Sequence, residues 1–284
     1  MVRNDRIGKK LLGSRPGIES FLETVARMPR SLLMLDFDGT LAPFQKDRGK
    51  AFPYPGIKSV VQEILELGKT RVVIVSGRDA TELIPLLAVE PHPEVWGLHG
   101  LQRVKTDGSI AVSALDEPTL KGLAQADEWL ITQQLQHTAE FKAGGIAVHW
   151  RGLNVLEAQD TYRRVMLGWT GVARQFGLDL LPFDGGIEIR SNKANKGSAV
   201  RTLLGEMNPE TPAAYLGDDT TDEDAFQAIN GFGLSILVRP TWRPTAAQLW
   251  VKPPGELLDL LTRWLEICQE QDESSDESTP TVNA

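Results

Sequence analysis

The chain has one cysteine, Cys268, among 284 residues, which excludes an intrachain disulfide and fits a reducing compartment. Glu266 and Glu270 flank it, the wrong surroundings for a reactive thiolate, so Cys268 reads as a small packing residue. Long hydrophobic runs are also absent. No stretch approaches the ~20 apolar residues of a membrane-spanning helix. The start, "MVRNDRIGKKLLGSRPG", is basic but has no apolar centre and does not read as a signal peptide. Positive charge is in deficit: 30 Lys and Arg stand against 38 Asp and Glu, a net charge of −8. No global basic field exists to attract nucleic acid or a membrane surface. An anionic partner has to be held by locally placed cations. Cytoplasm and monomer are the default expectations on these absences.

What is present suits a folded globular protein, with 41% apolar and 24% charged residues. Residues 16–30 place Ile18, Phe21, Leu22, Val25 and Met28 at helical spacing. "SLLMLDFDG" is a short apolar run with a polar exit, the pattern of a strand buried on both faces of a parallel sheet. "PGIKSVVQEILELG" reads as a helix closed by Gly68, and "KTRVVIVSGRD" as a second strand with a polar exit. "DATELIPLLAV" is helical and "PEVWGLHG" is a third strand. This alternation implies an α/β fold, whose chemistry sits at the carboxyl ends of strands.

The texture changes after residue 104. "LQRVKTDGSIAV" reads as a hairpin turning at Asp107-Gly108. A helix, a strand over "AEFKAGGIAVHWRG", a second helix and a strand over "LDLLPFDGGIEIRS" follow. The order suggests a compact α+β insertion. Strand and helix then alternate again to "LLDLLTRWLEIC", and the tail "QDESSDESTPTVNA" is acidic, serine-rich and expected to be disordered. The expected division is a flexible 1–15, a core from 16–104 and 189–270, an insert over 105–188 and a disordered 271–284.

The acids raise the functional question. Asp36 and Asp38 end the first strand, and "YLGDDTTDEDAF" crowds Asp218, Asp219, Asp222, Glu223 and Asp224 at a later strand end. Like charges so close repel unless a cation neutralises them, and a hard divalent ion with oxygen ligands, Mg²⁺ above all, is the simplest solution. Ser76, Gly77 and Arg78 leave the second strand, and Lys196 opens a helix. A metal, a carboxylate, a hydroxyl, a lysine and helix N-terminal amides together suit a phosphoryl group. Glu223 and Asp224 also read as first-turn helix acids, and Arg78 as an internal ion-pair partner.

Four segments carry a resemblance: D-x-D-G-T at 36–40, S-G-R at 76–78, K-G at 196–197 and G-D-D-x-x-D at 217–222. In order and residue type they resemble the haloacid dehalogenase superfamily of aspartate-nucleophile phosphohydrolases. The resemblance implies a doubly wound parallel-sheet core with an inserted smaller α+β cap. It implies that Asp36 is the nucleophile and that Asp38 is the general acid and base, with a carbonyl on Mg²⁺. Thr40 positions Asp38 or supports the phosphate loop. Ser76, Gly77 and Arg78 hold phosphate, and Lys196 neutralises the nucleophile. Asp218 binds Mg²⁺, while Asp219 and Asp222 bind it or hold its ligands.

"DFDGTLAPF", "SGRD", "GLHG", "EFKAGGIAVHWR", "IEIRSNKANKG" and "LGDDTTDEDAF" are more closely similar to the trehalose-6-phosphate phosphatase family. That likeness implies a small-molecule sugar phosphate as partner and a sugar-selecting cap. Glu140, Lys142, His149, Arg151 and Glu188 are the implied cap residues. Phosphatases for glucosylglycerate, mannosylglycerate or sucrose phosphate, and a phosphomannomutase-like enzyme, are the alternatives with the same core. Lys193 and His99 are left without a firm role.

Overall fold

The computed structural model describes residues 15–276 apart from Lys46, Ala143, Arg151, Asp184 and Ala194. Residues 1–14, residues 277–284 and Arg151 therefore lie outside the described residues. The chain divides into two compact units, one formed by the residues up to Ile110 with those from Lys196, the other by Ala111–Asn195. The sequence pattern placed the insert over 105–188.

The first unit is built on a sheet. Helix α1 (Arg15–Arg27) precedes β1 (Ser31–Leu35); α2 (Ile57–Glu66) leads to β2 (Thr70–Val75); α3 (Ala80–Leu87) leads to β3 (Glu94–Gly97). The hairpin β4 (Gln102–Val104) and β5 (Ile110–Val112) follows. After the second unit come α6 (Lys196–Gly205), β10 (Ala213–Gly217), α7 (Glu223–Ile229), β11 (Leu234–Val238), β12 (Leu249–Val251) and α8 (Gly255–Asp276). The strand order is β12-β11-β10-β1-β2-β3-β4-β5. Pairing is parallel from β12 through β3 and antiparallel between β3 and β4.

Burial on both faces explains the continuous apolar run of β1, all five residues of which are buried. Leu33 and Leu35 pack with α1, α2, α3 and α8, while Leu32 and Met34 pack with α6 and α7. Each such side chain contributes roughly 1.5–3 kcal/mol when taken from water. The chain runs from β1 to β2 on one side and returns to β10 on the other. The strand order reverses at that point, and in open α/β sheets such a reversal is where ligands sit, beyond the carboxyl ends of the strands.

The second unit holds α4 (Glu117–Thr132), β6 (Ala139–Lys142), β7 (Gly145–His149), α5 (Val155–Phe176), β8 (Leu178–Phe183) and β9 (Gly186–Ser191). Its sheet is antiparallel in the order β6-β7-β9-β8. Two single strands read from the sequence are thus two hairpins. "AEFKAGG" and "LLPFDGG" place glycines within otherwise strand-forming runs, and the chain reverses there. Ile146, Val148, Ile187 and Ile189 pack under Ala126, Leu130, Val165 and Trp169 of the two helices.

A second correction concerns the tail. Helix α8 continues to Asp276, six residues into the segment expected to be disordered. Its apolar stripe runs Leu257, Leu261, Trp264, Leu265 and Cys268, all buried, and the Glu and Gln that follow are good helix formers. Among the described residues, no helix is long and apolar enough to cross a membrane.

Candidate active site

Adjacent parallel strands bring the first acids together. Leu35 lies opposite Leu216 in the β1–β10 register, and the Asp36 amide donates to the Leu216 carbonyl at 2.9 Å. Asp36 and Asp218 therefore leave neighbouring strand ends. Gly39 makes the approach possible: its φ is +85°, and a Cβ there would stand 2.2 Å from Asp218 Oδ2. A left-handed backbone and a missing side chain are both needed.

Lys196, the first residue of α6, is buried between two acids. Its Nζ donates to Asp36 Oδ1 at 2.6 Å and to Asp222 Oδ1 at 2.7 Å. Thr40 donates to the other Asp36 oxygen at 3.0 Å, so this hydroxyl serves Asp36 and not Asp38. Asp222 is fully used. Its Oδ1 also accepts from the Tyr215 hydroxyl at 2.6 Å, and its Oδ2 accepts from the amides of Asp218 and Asp219 at 3.0 and 2.9 Å.

Electrostatics follow from this crowding. Burial pushes the Asp36 carboxyl up to about 7 against the pull of Lys196, with Asp222 adding to the rise. Burial, then Asp36 and Asp222, lift Asp218 well above the usual carboxylate range. Burial works against the Lys196 charge, but Asp222 and Asp36 outweigh it and hold its pKa above the ordinary lysine value. Burial and then Asp222 raise the Tyr215 phenol.

Carboxylate oxygens of Asp36, Asp218 and Asp222 lie within 4.8 Å of one another. Three buried acids share one lysine, which leaves negative charge without compensation. The donors are hard oxygens, as Mg²⁺ prefers. The residues fit such an ion, with Asp36 and Asp218 offering oxygens and Asp222 holding the lysine and the loop. The Asp38 and Asp219 carboxylates fall outside this cluster.

Asp38 has a different partner. Arg78 Nε and Nη2 donate to its two carboxylate oxygens, each at 2.6 Å, and Nη1 donates to the Arg48 carbonyl at 2.7 Å. Arg78, named from the sequence as a phosphate holder or an ion-pair partner, is the partner of Asp38 here. The Arg78 amide donates to Ser76 Oγ at 3.1 Å. Gly77 lies under the His99 imidazole, since a Cβ there would come within 2.5 Å of that ring. The His99 amide donates to the Ser76 carbonyl at 3.0 Å.

In the second unit, cross-strand register aligns Glu140, Ala147 and Glu188, and in the next row Lys142, Gly145 and Arg190. The period of two puts these on one sheet face, opposite the helix-covered one. Lys142 Nζ donates to Glu188 Oε2 at 2.8 Å. His149 Nε2 meets Glu140 Oε2 at 2.9 Å, and its ring packs edgewise on Phe183 with centroids 5.4 Å apart. Gly145 keeps the face open, since a Cβ there would sit 2.9 Å from Glu188 Oε1. Lys193 pairs with Asp116 at 2.6 Å.

Three residues with a part in these arrays had no role from the sequence. Arg190 follows Glu188 by two positions, a period that already places it on the same face. Tyr215 is the lone polar-tipped side chain in "AAYLG" just before the acidic loop, a legible signal. Phe183 had no signal, because its contact depends on a hairpin read as one strand.

A family model described as trehalose-phosphatase matches residues 34–252. A trehalose-phosphate phosphatase of Mycobacterium marinum is 28% identical over 250 residues, covering 83% of this chain and 62% of the relative. The chain thus spans under two thirds of that relative. The C-terminal domain of the trehalose-6-phosphate phosphatase of C. albicans superposes with TM-score 0.71 at 21% identity, covering 88% of this chain and 96% of that one. A haloacid dehalogenase-like hydrolase of Bacteroides thetaiotaomicron gives TM-score 0.61 at 13% identity, covering 82% and 99%. With the matched region taking in the acids, the lysine and both units, the chain belongs to the trehalose-phosphatase family, on a haloacid dehalogenase-type fold.

Proposed function

We propose that the chain is a Mg²⁺-dependent phosphatase that hydrolyses trehalose 6-phosphate to trehalose and phosphate through an aspartyl-phosphate. The carrying observation is Asp36 itself: a buried carboxylate at a strand end, 2.6 Å from a lysine 160 residues away. Family membership supports the reaction type.

The residues take these parts. Lys196 and Thr40 hold the two Asp36 oxygens, which aims the carboxylate and removes its freedom to rotate. An Asp36 oxygen attacks phosphorus, and the bond from phosphorus to the sugar oxygen breaks. Asp38 gives a proton to that leaving oxygen. It then takes one from the water that attacks the aspartyl-phosphate, releasing phosphate and restoring Asp36. Lys196 offsets negative charge on the transferring group. A divalent cation, when held by Asp36 and Asp218, supplies further charge neutralisation. Asp222 and Tyr215 keep Lys196 and the 218–219 loop in place. The charged face of the second unit, with Glu140, Lys142, His149 and Glu188, selects the sugar by charge-assisted hydrogen bonds to hydroxyls.

The experiment is phosphate release from a panel of sugar phosphates, with and without chelator. We expect Mg²⁺-dependent release, fastest from trehalose 6-phosphate, and none from Asp36→Asn. Turnover undiminished in that variant rules out the nucleophile. Faster release from another glycoside phosphate replaces the substrate.

A further inference from the structure

The segment "RPTWRPTAAQ" that follows β11 entered none of the motifs, yet its two arginines converge on the acidic loop. Arg243 Nη2 donates to the Asp219 carbonyl at 2.7 Å, and its Nε points to the Asp218 carbonyl at 3.4 Å. Arg239 Nη1 points to the same Asp218 carbonyl at 3.4 Å. Arg243 also pairs through Nη1 with Glu223, the first residue of α7. Glu223 in turn accepts from Thr245 Oγ1 at 2.8 Å and from the Ala246 amide at 2.7 Å.

The same two residues are also held by their amides, and the peptide unit joining Asp218 to Asp219 is gripped from both sides. The amides of Asp218 and Asp219 both donate to Asp222 Oδ2. Their N–H groups are thus fixed by an acid and their carbonyls by guanidinium groups. Neither arginine touches the Asp36 or Asp218 carboxylate oxygens in any of these bonds, so the clamp leaves those oxygens to a cation. Pro240 and Pro244, each directly after an arginine, stiffen the segment that carries the clamp.

We propose that Arg239 and Arg243 are positioning residues that set the affinity of the Asp36–Asp218 pocket for its divalent cation. They do so by holding the 218–219 backbone so that the Asp218 carboxylate stays aimed at Asp36. The proposal rests on the metal reading above. Two effects oppose each other. The guanidinium charges repel a nearby cation, whereas holding a ligand in place favours it, and loss of such outer partners commonly costs about 10–100-fold in metal affinity. Arg243 bonds the backbone carbonyls of Asp218 and Asp219, so the positional effect is expected to outweigh the repulsion.

The test is calorimetric titration of MgCl₂ into the intact chain and into Arg243→Met, Arg243→Lys and Arg239→Met, with thermal melts with and without MgCl₂. Saturable binding is expected for the unsubstituted chain. Arg243→Met is expected to bind about 10–100-fold more weakly, and Arg239→Met to lose less. Arg243→Lys, with a charge but no fork, is expected to resemble Arg243→Met, and it replaces that variant if the latter does not fold. The rise in Tm on adding MgCl₂ shrinks in these variants, which a merely structural role does not produce. Binding by the variants equal to or tighter than that of the unsubstituted chain overturns this proposal alone. So does full recovery in Arg243→Lys. No binding by the unsubstituted chain removes the metal reading and this proposal with it.

Discussion

Arg78 closes a two-pronged fork on Asp38, with both carboxylate oxygens 2.6 Å from guanidinium nitrogens. The fork aims Asp38 and also occupies it, so one of the bonds has to open before Asp38 can exchange a proton. We expect Asp38→Asn to lower kcat by about 10²–10⁴-fold, the usual range for a lost general acid, with little change in Tm. Arg78→Met is expected to lower kcat as well, because Asp38 is then no longer tethered. Steady-state kinetics check both, and an Arg78→Met variant with unchanged kcat refutes the tether.

Among the described residues, Lys196 is the cation paired with both Asp36 and Asp222. Removing one partner from a buried ion cluster costs about 3–5 kcal/mol. Lys196→Met is expected to lose stability in that range and all turnover. The loss is expected to be smaller at pH 5 than at pH 8, because Asp36 can then take a proton. Urea denaturation at the two pH values measures it, and equal losses contradict the arrangement.

Asp36 also makes a pH prediction for the metal-free chain. Its carboxyl is raised from 3.8 to about 7 in the folded protein. The folded state thus holds the proton more tightly than the unfolded one, and this contribution is full below 3.8 and fades as pH rises through about 7. In chelator, stability is expected to fall between pH 5 and pH 8, and Asp36→Asn is expected to flatten that slope. Added MgCl₂ is expected to oppose the fall, since a metal ligand has to be deprotonated. An identical slope in Asp36→Asn and the unsubstituted chain dismisses the assignment.

The charged face of the second unit predicts a split between substrates. Glu140→Ala is expected to raise KM for trehalose 6-phosphate by about tenfold or more, the cost of one charge-assisted hydrogen bond of roughly 1.5–3 kcal/mol. Hydrolysis of p-nitrophenyl phosphate is expected to hardly change. Equal losses on both substrates place Glu140 outside sugar recognition.

The core was legible because its physics is periodic. Apolar runs with polar exits mark β1, β2 and β10, and the acids stand at the exits of β1 and β10. What depended on side-chain direction was not legible. Nothing in "SGRD" tells that Arg78 turns back onto Asp38, or in "GTL" that Thr40 serves Asp36. For Asp222 the sequence left two roles open, binding the metal or holding its ligands, and its oxygens, occupied by Lys196, Tyr215 and two amides, favour the second. The hairpins of the second unit read as single strands in the sequence because β6 and β7 are both strand-forming and only two small residues, Ala143 and Gly144, separate them. The tail helix was missed because acidity was weighed over the apolar stripe that ends at Cys268.

The hydrogen bond from the Asp36 amide to Leu216 ties the site to the order in which the polypeptide is made. A ribosome releases β1 early and β10 only after the whole second unit has emerged. Until then the nascent chain carries Asp36 without the opposing acid or Lys196. The cluster is therefore completed late, when the middle of the large sheet zips shut.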